Sequence, residues 1–201
     1  EFVALRDYRS GDPLRHIHWR SWAKTGKPIV KEFEDEFFVR HALVLDTFAE
    51  IPHSEIFEEA VSVAASFACT IVTQESLLDL LFVGHEAFCF TAGRGLAQAD
   101  QMLEILAAVR TATDQKFSTL ETLVLDHAAS VSGVVCVLLA WDDARRAFVR
   151  KLQALGTPVL VLVLTQPGNG ASLEKTLARD GVEKFATLEL GRVETDLAKL
   201  K

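Results

Sequence analysis

The 201-residue sequence has little that would mark an enzyme or a membrane span. No apolar run approaches the roughly 18–20 residues that a membrane-spanning helix needs, and the longest, such as 134–141, have the length of a strand. The phosphate-binding G-x-x-x-x-G-K-[ST] loop and the G-x-S-x-G elbow of hydrolases do not occur. Gly93-Arg94-Gly95 is followed by Gln98, where a dinucleotide-binding loop needs its third glycine. We therefore expect the chain not to be an enzyme.

Cysteine is also scarce. The three cysteines, Cys69, Cys89 and Cys136, are odd in number, sit in apolar segments and show no C-x-x-C spacing. This usage predicts small buried side chains in a reducing compartment rather than disulfides or metal ligands.

Charge is distributed unevenly along the chain. The formal net charge is −7, but the first 31 residues carry seven Arg or Lys against three acidic residues, a net charge of +4, which leaves −11 for residues 32–201. Such asymmetry predicts a basic patch that faces an acidic partner or an acidic face of the same fold. We expect no nucleic-acid binding, because an overall acidic chain repels a polyanion.

The basic stretch at 6–34 is rich in arginine, aromatic and turn residues. Ser10-Gly11-Asp12-Pro13 and Thr25-Gly26-Lys27-Pro28 are turn signals, since glycine allows positive φ and proline presets φ. Between the turns, the apolar residues fit a short strand as well as a helical turn, and both interpretations stay open: they are Leu14, Ile17, Trp19, Trp22 and Ala23.

Three hypotheses for this stretch follow from its residue types. It is a structural arm whose aromatic residues pack and whose arginines bind carboxylates, a docking surface for another protein, or a surface that binds nucleic acid or phosphate, which the acidic chain disfavours. His16 and His18 would share one face of a strand, but a pair without a third ligand favours a polar edge over a metal site.

Strands alternate with helices along the rest of the chain, which predicts an α/β fold with a mostly parallel central sheet and helices on both faces (Rossmann-like) after an N-terminal arm. We divide the chain into an arm, 1–36, and an α/β domain, 37–201. The predicted strands are 37–46, with 29–33 as its edge hairpin partner, 77–83, 87–90 (antiparallel), 134–140, 158–164 and 182–190. The predicted helices are 54–73, 96–109, 119–128, 144–155, one around Leu173 and Leu177, and one after Gly191; 111–118 is predicted to be a polar loop.

Two of the predicted strands end in aspartate. Asp46 follows the apolar run 42–45, and Asp142 and Asp143 follow the run 134–141. Ligands of such sheets bind beyond the carboxyl ends of the strands, so these aspartates mark the predicted functional edge. A simpler interpretation of Asp46 is a strand-end carboxylate that caps the next turn or meets an arginine of the arm.

The basic stretch resembles the signature of the bacterial "domain of unknown function 58" family. The residues that carry the resemblance are Arg6, Tyr8, Gly11, Asp12, Arg15, Ile17, Trp19, Ala23, Lys24, Gly26, Val30, Lys31 and Glu32. The resemblance implies a fold similar to von Willebrand factor A domains. It also implies a membrane-anchored parent protein, an association with MoxR-type AAA+ ATPases and no established activity.

These implications lead to a functional hypothesis. We expect a protein-interaction or adaptor domain that works with a MoxR-type AAA+ ATPase in assembly, maturation or envelope stress, at the cytoplasmic face of the bacterial inner membrane. Because the chain begins with Glu1 and its only methionine is Met102, we expect any membrane anchor upstream of it. The residues expected to lock the arm or to contact the partner are Arg6, Tyr8, Asp12, Arg15, Trp19, Lys24 and Lys31.

The alternative is a ligand-binding domain that depends on a divalent metal. By resemblance, a D-x-S-x-S motif supplies a carboxylate and two hydroxyls to Mg²⁺, and a threonine from a middle loop completes the site. Here the run is Asp46-Thr47-Phe48-Ala49-Glu50, in which both serines are replaced. The remaining candidate ligands are Asp46, Glu50 and Asp142, with Thr91 or Thr119 as the threonine. We expect this degenerate site to hold no tightly bound Mg²⁺, and we expect no other cofactor.

Overall fold

A computed structural model describes residues 2–33, 39–49, 54–72, 76–93 and 96–199. The chain divides into two compact units, Glu1–Phe38 and Val39–Lys201. The boundary lies two residues after the predicted end of the arm. No helix among these described segments has both the length and the apolar character that crossing a membrane requires.

The first unit is built on a two-stranded antiparallel sheet. Strand β1 (Phe2–Asp7) pairs with β2 (Ile29–Phe33). The bounds of β2 agree with the sequence prediction, but its predicted pairing with the strand that follows it is wrong. The two intervening turns bring the preceding strand β1, which we did not predict, back onto β2.

Both turns at glycine are confirmed. Gly11 has a φ of 105° and Gly26 a φ of 70°, conformations that glycine adopts without the steric cost of a Cβ. Between them lie a short 3-10 helix, Leu14–His16, and helix α1 (Trp19–Thr25). Ile17 forms an isolated bridge to Val30. The strand interpretation therefore holds only at Ile17, and the helical interpretation holds from Trp19 onward.

The second unit is a six-stranded sheet with the order β5-β4-β3-β6-β7-β8. All neighbouring strands are parallel except β4 and β5, which confirms the predicted α/β class. The strands are β3 (Arg40–Leu45), β4 (Leu77–Val83), β5 (Ala87–Ala92), β6 (Gly133–Leu138), β7 (Val159–Thr165) and β8 (Lys184–Glu189). The helices are α2 (Glu55–Val72), α3 (Leu96–Ala108), α4 (Phe117–Ala128), α5 (Asp143–Ala154), α6 (Gly170–Arg179) and α7 (Val193–Leu197).

Helices cover both faces of this sheet, as predicted. Leu43 and Leu45 belong to one apolar core, while Ala42 and Val44, which alternate with them along β3, belong to the other. Side chains of α2, α3 and α7 fill the first core, and side chains of α4, α5 and α6 fill the second. The strand order is that of a doubly wound sheet, and the antiparallel edge strand fits a von Willebrand factor A-like domain.

The structure corrects two local predictions. Helix α4 begins at Phe117, inside the stretch predicted as a loop. In α5, Ala144 and Leu155 are exposed rather than buried, and the buried stripe consists of Arg145, Phe148, Val149 and Leu152.

The predicted burial of the cysteines holds only for Cys136. Cys69 and Cys89 are exposed. Cys89 lies on the edge strand β5, where every second side chain points away from the core, and Cys69 lies on the outer side of α2.

Candidate functional site

The predicted functional edge lies where the strand order changes direction. β3 pairs with β4 on one side and with β6 on the other, so the connections that leave these strands diverge at their carboxyl ends. Asp46 follows β3 directly. Asp142 follows β6 and is the N-cap of α5, where its Oδ1 accepts a hydrogen bond from the backbone N–H of Arg145 (2.9 Å). The two predicted aspartates therefore do lie at this edge.

Asp46 is completely buried and its carboxylate is fully engaged. Oδ1 accepts from the backbone N–H of Phe48 (3.0 Å). Oδ2 accepts from the backbone N–H of Leu139 (3.1 Å) and from Nε of Arg145 (2.6 Å). Asp46 thus caps the next turn, which agrees with the simpler interpretation. The arginine that donates to it belongs to α5 and not to the arm.

The guanidinium of Arg145 connects three parts of this edge. Besides Asp46, it donates through Nη1 to Asp142 and through Nη2 to the carbonyl of Phe48 (3.1 Å). Its Cζ lies 4.9 Å from the centre of the Phe117 ring, within the range of a cation–π contact. Burial lowers the pKa of this guanidinium, but the charges of Asp46 and Asp142 and its hydrogen bonds to them outweigh burial and leave the pKa above its ordinary value.

With Arg145 in place, the donor set at this edge does not fit Mg²⁺, which requires near-octahedral oxygen coordination. The Thr47 hydroxyl donates to the carbonyl of Val83, and Phe48 has no side-chain ligand. Both oxygens of Asp46 are held by N–H donors, and Glu50 lies outside the described residues. In the described segments, no cluster of three or more His, Cys, Asp or Glu side chains is arranged to hold a metal ion.

Neither candidate threonine lies at this site. Thr91 lies on the edge strand β5 and donates to Asp79 on β4 (2.6 Å), and Thr119 lies on α4, with its hydroxyl toward Gln115 (3.4 Å).

Sequence reasoning missed Arg145, although a signal was present. Phe148, Val149 and Leu152 form the buried stripe of α5, and Arg145 continues it at the helical spacing of three and four residues. An arginine on the buried stripe of a helix requires a buried acceptor. The structure shows that this acceptor is Asp46.

In the first unit, Arg6 and Asp12 form a bidentate ion pair. Nη1 and Nη2 of Arg6 donate to the two carboxylate oxygens of Asp12 at 2.7 and 2.8 Å. The backbone N–H of Arg9 donates to the same carboxylate (2.8 Å), and Nε of Arg6 reaches Glu32 (3.3 Å). These contacts join β1 to the turn at Gly11 and to β2, so Arg6 and Asp12 lock the arm onto itself.

The other predicted residues of the arm differ in their exposure. Arg15 contacts the neighbouring His16 ring (3.3 Å), and Lys24 is exposed on α1. Trp19 is 64% exposed and stacks on Trp22, with ring centres 5.4 Å apart. Tyr8 and Lys31 are half-buried in and beside the two-stranded sheet.

The two histidines do not share a strand face. His16 ends the 3-10 helix and packs edge-on against Phe33, with ring centres 5.1 Å apart. His18 precedes α1, and its Nδ1 lies 2.7 Å from the Ser21 hydroxyl. This placement fits the polar-edge interpretation.

We predict that Asp12 titrates well below an ordinary aspartate. The hydrogen bonds from Arg6 and from the Arg9 backbone lower its pKa from 3.8 to about 2. A depressed pKa means that the pair stabilises the folded arm above pH 3.8, and that this contribution disappears as the pH falls through about 2. The measurement is ¹³C NMR titration of the Asp12 carboxyl group in the wild type.

Two variants test whether Arg6 is the main cause of the low pKa of Asp12. Arg6→Gln should move the pKa of Asp12 most of the way back to 3.8, whereas Arg20→Gln, on exposed α1, should leave it at about 2. An ordinary pKa in the wild type would show that the ion pair does not form in solution.

The sequence model of the family described as "Protein of unknown function DUF58" matches residues 4–191. "Uncharacterized protein YeaD" of Bacillus subtilis (strain 168) is 30% identical over 105 residues, which are 52% of this chain and 25% of that protein. The match therefore spans about a quarter of that relative's length.

Two solved structures have similar backbones at low sequence identity. One is the conserved hypothetical protein BatB from Bacteroides thetaiotaomicron, with a TM-score of 0.48 and 11% identity over 82% of this chain and 98% of that chain. The other is an aerotolerance-related membrane protein from Bacteroides fragilis NCTC 9343 carrying multiple mutations to serine, with a TM-score of 0.47 and 11% identity over 81% and 96%. The fold assignment rests on the strand order given above.

Proposed function

Since this chain belongs to the DUF58 family of proteins of unknown function, we propose that it is a protein-interaction domain. In this proposal, a partner with an acidic surface docks on helix α1 and the turns on either side of it. This docking surface belongs to the first unit, and the α/β unit follows it in the same chain. No catalytic step is assigned to the chain. The observation that carries the proposal is the exposed indole of Trp19 among basic side chains that form no ion pair with another described residue.

The aromatic part of this surface supports the proposal. Trp19 is 64% exposed and Leu14 is 67% exposed, both on a unit of fewer than forty residues. Large apolar side chains usually lose exposure on folding, and tryptophan is among the residues that contribute most to binding at interfaces. The stack of Trp19 on Trp22 holds the exposed ring in one orientation, which reduces the entropy that binding would cost.

Charge on the same segment supports an acidic partner. Arg15, Arg20, Lys24 and Lys27 are exposed, and none of them forms an ion pair with another described residue. Arg6 is different, because its charge is already paired with Asp12. The four exposed cations can attract carboxylates of a partner, and such attraction raises the rate of association.

The partner that we propose is a MoxR-type AAA+ ATPase, in assembly, maturation or envelope stress. The resemblance of residues 6–32 to family members associated with such ATPases supports this choice. The interaction would then take place at the cytoplasmic face of the inner membrane, where ATP is available to the ATPase.

The test is an affinity measurement with a MoxR-type AAA+ ATPase from the same genome. We expect Trp19→Ala to weaken binding tenfold or more, about 1.4 kcal/mol, as for an interface anchor, and Arg20→Glu to weaken it with a smaller dependence on salt. Both variants should melt within about 2 °C of the wild type, because each side chain is exposed.

The matched control is Leu155→Ala, which removes a 60% exposed leucine from the other unit and should leave binding unchanged. If Trp19→Ala lowers the melting temperature strongly, the indole belongs to the lock of the arm and not to a docking surface. If the wild type fails to bind the ATPase, the choice of partner is wrong.

A further inference from the structure

The edge at β3 and β6 brings together two aspartates from distant parts of the chain around one positive charge. Asp46 and Asp142 lie on opposite sides of the Arg145 guanidinium, which donates to both. The Arg145 side chain is 7% exposed and that of Asp46 is 0% exposed, so the pair is closed to solvent. In a metal-dependent adhesion site, a divalent cation neutralises the carboxylates at this edge.

We propose that Arg145 takes the role of that cation, so that this edge carries a permanent positive charge of the protein's own and functions without a divalent metal. An arginine fits the role because it stays protonated in proteins and its planar fork can donate in several directions at once. Here the fork reaches two carboxylates and the carbonyl of Phe48.

The chain on either side of Asp46 matches this replacement. Phe48 stands at a position where the metal-binding motif has a hydroxyl, and its ring packs edge-on against Phe117, with centres 5.6 Å apart. Phe117 in turn lies beneath the Arg145 guanidinium at 4.9 Å. An aromatic ring attracts a guanidinium but offers nothing to Mg²⁺ as a ligand. Phe48, which takes the place of a metal ligand in the motif, therefore also contributes to the environment that holds Arg145.

The proposal predicts that added metal leaves the stability of the wild type unchanged and stabilises Arg145→Ala. The wild type should melt at the same temperature, within about 1 °C, with 10 mM MnCl₂, 10 mM MgCl₂ or EDTA. In Arg145→Ala, Asp46 and Asp142 lose their shared cation, and MnCl₂ should restore it. A ligand that binds only the folded state at 100 times its Kd raises the melting temperature of a chain of this size by about 5–10 °C.

Three variants serve as controls. Arg145→Lys keeps a cation at the site and should respond to MnCl₂ less than Arg145→Ala. Arg150→Ala removes an exposed arginine of the same helix and should behave as the wild type. Asp46→Asn combined with Arg145→Ala removes the proposed ligand and should abolish the response. A folded Arg145→Ala with no response to MnCl₂ would overturn the proposal.

A measurement on the wild type keeps the proposal testable even if Arg145→Ala does not fold. Mn²⁺ broadens the NMR signals of nearby amides, and the amides of Phe48 and Leu139 both donate to Asp46. These two signals should stay as sharp in 1 mM MnCl₂ as those of residues elsewhere in the sheet. Selective broadening of the two signals would show a metal at Asp46 and overturn the proposal.

Discussion

Replacement of Arg145 by alanine is expected to lower the free energy of unfolding of the α/β unit by about 3–5 kcal/mol. The change leaves Asp46, which is 0% exposed, with two backbone N–H donors and no counter-charge. Removing one partner of a buried ion pair is costly because the other charge stays in a medium of low polarity. For a chain of this length, the loss corresponds to a fall in melting temperature of about 6–20 °C.

Two contributions to this loss differ in size. The contact of the guanidinium with the Phe117 ring is worth about 1 kcal/mol, whereas the unpaired carboxylate costs several times as much. Arg145→Met keeps an apolar chain against Phe117 but provides no charge. We therefore expect Arg145→Met to be destabilised nearly as strongly as Arg145→Ala. A methionine variant close to wild-type stability would show that packing, and not charge, holds this edge together.

The measurement should follow the α/β unit alone. Two of the three tryptophans, Trp19 and Trp22, lie in the first unit, and Trp141 lies in the second. In a Trp19→Phe/Trp22→Phe background, the emission of Trp141 during urea denaturation reports only on the second unit. Arg150→Ala is the control. The Arg150 side chain is 59% exposed and lies 3.8 Å from Asp180, which keeps a closer ion pair with Arg146 (3.1 Å), so the change in stability should be about 0.5 kcal/mol or less.

The parts of the fold that the sequence predicted are those with local causes. The bounds of β4 agree with the prediction because an apolar run ends at Gly84. The start of α2 was readable because Ser54 can cap it, and its hydroxyl lies 3.4 Å from the Phe57 N–H. α5 was readable because Gly156, with a φ of 75°, follows its end. In each case, residues within one turn determine the structure.

The parts that it missed depend on residues distant in the chain. β1 and β2 pair across more than twenty residues, and nothing in the sequence of either strand identifies the other as its partner. Asp46 and Arg145 are 99 positions apart, so the identity of the counter-charge appeared only once the sheet had placed α5 beside the end of β3. Alternation of residue types predicts that a face is buried, but it does not say which other segment covers it.

A second buried charge of the α/β unit lies on β4. Asp79 stands alone among apolar residues of β4 and is 0% exposed. Arg40, at the start of β3, donates to both of its oxygens at 2.6 and 2.9 Å, and the hydroxyl of Thr91 on β5 donates to one of them (2.6 Å). The network therefore joins three adjacent strands at the antiparallel edge of the sheet.

We expect Arg40→Ala to lower the free energy of unfolding of the α/β unit by about 3 kcal/mol, again read from Trp141 emission. Thr91→Val, which removes one hydrogen bond and keeps the shape of the side chain, should cost about 1.5 kcal/mol. The Arg40 side chain is 33% exposed, so water can reach Asp79 in part once the arginine is gone. For this reason we place the Arg40→Ala effect at the lower end of the range for a broken buried pair.

A double variant separates charge from register. Replacing an entire buried ion pair by apolar residues of similar volume is often neutral, so Arg40→Met/Asp79→Leu should recover most of the stability that Arg40→Ala loses. If the double variant is as unstable as Arg40→Ala, the network stabilises the sheet through the specific pairing of β3, β4 and β5 rather than through neutralisation of Asp79. Hydrogen exchange of the amides of β5 would then be faster in the double variant, because the hairpin at the edge would have lost the contact that holds it in register.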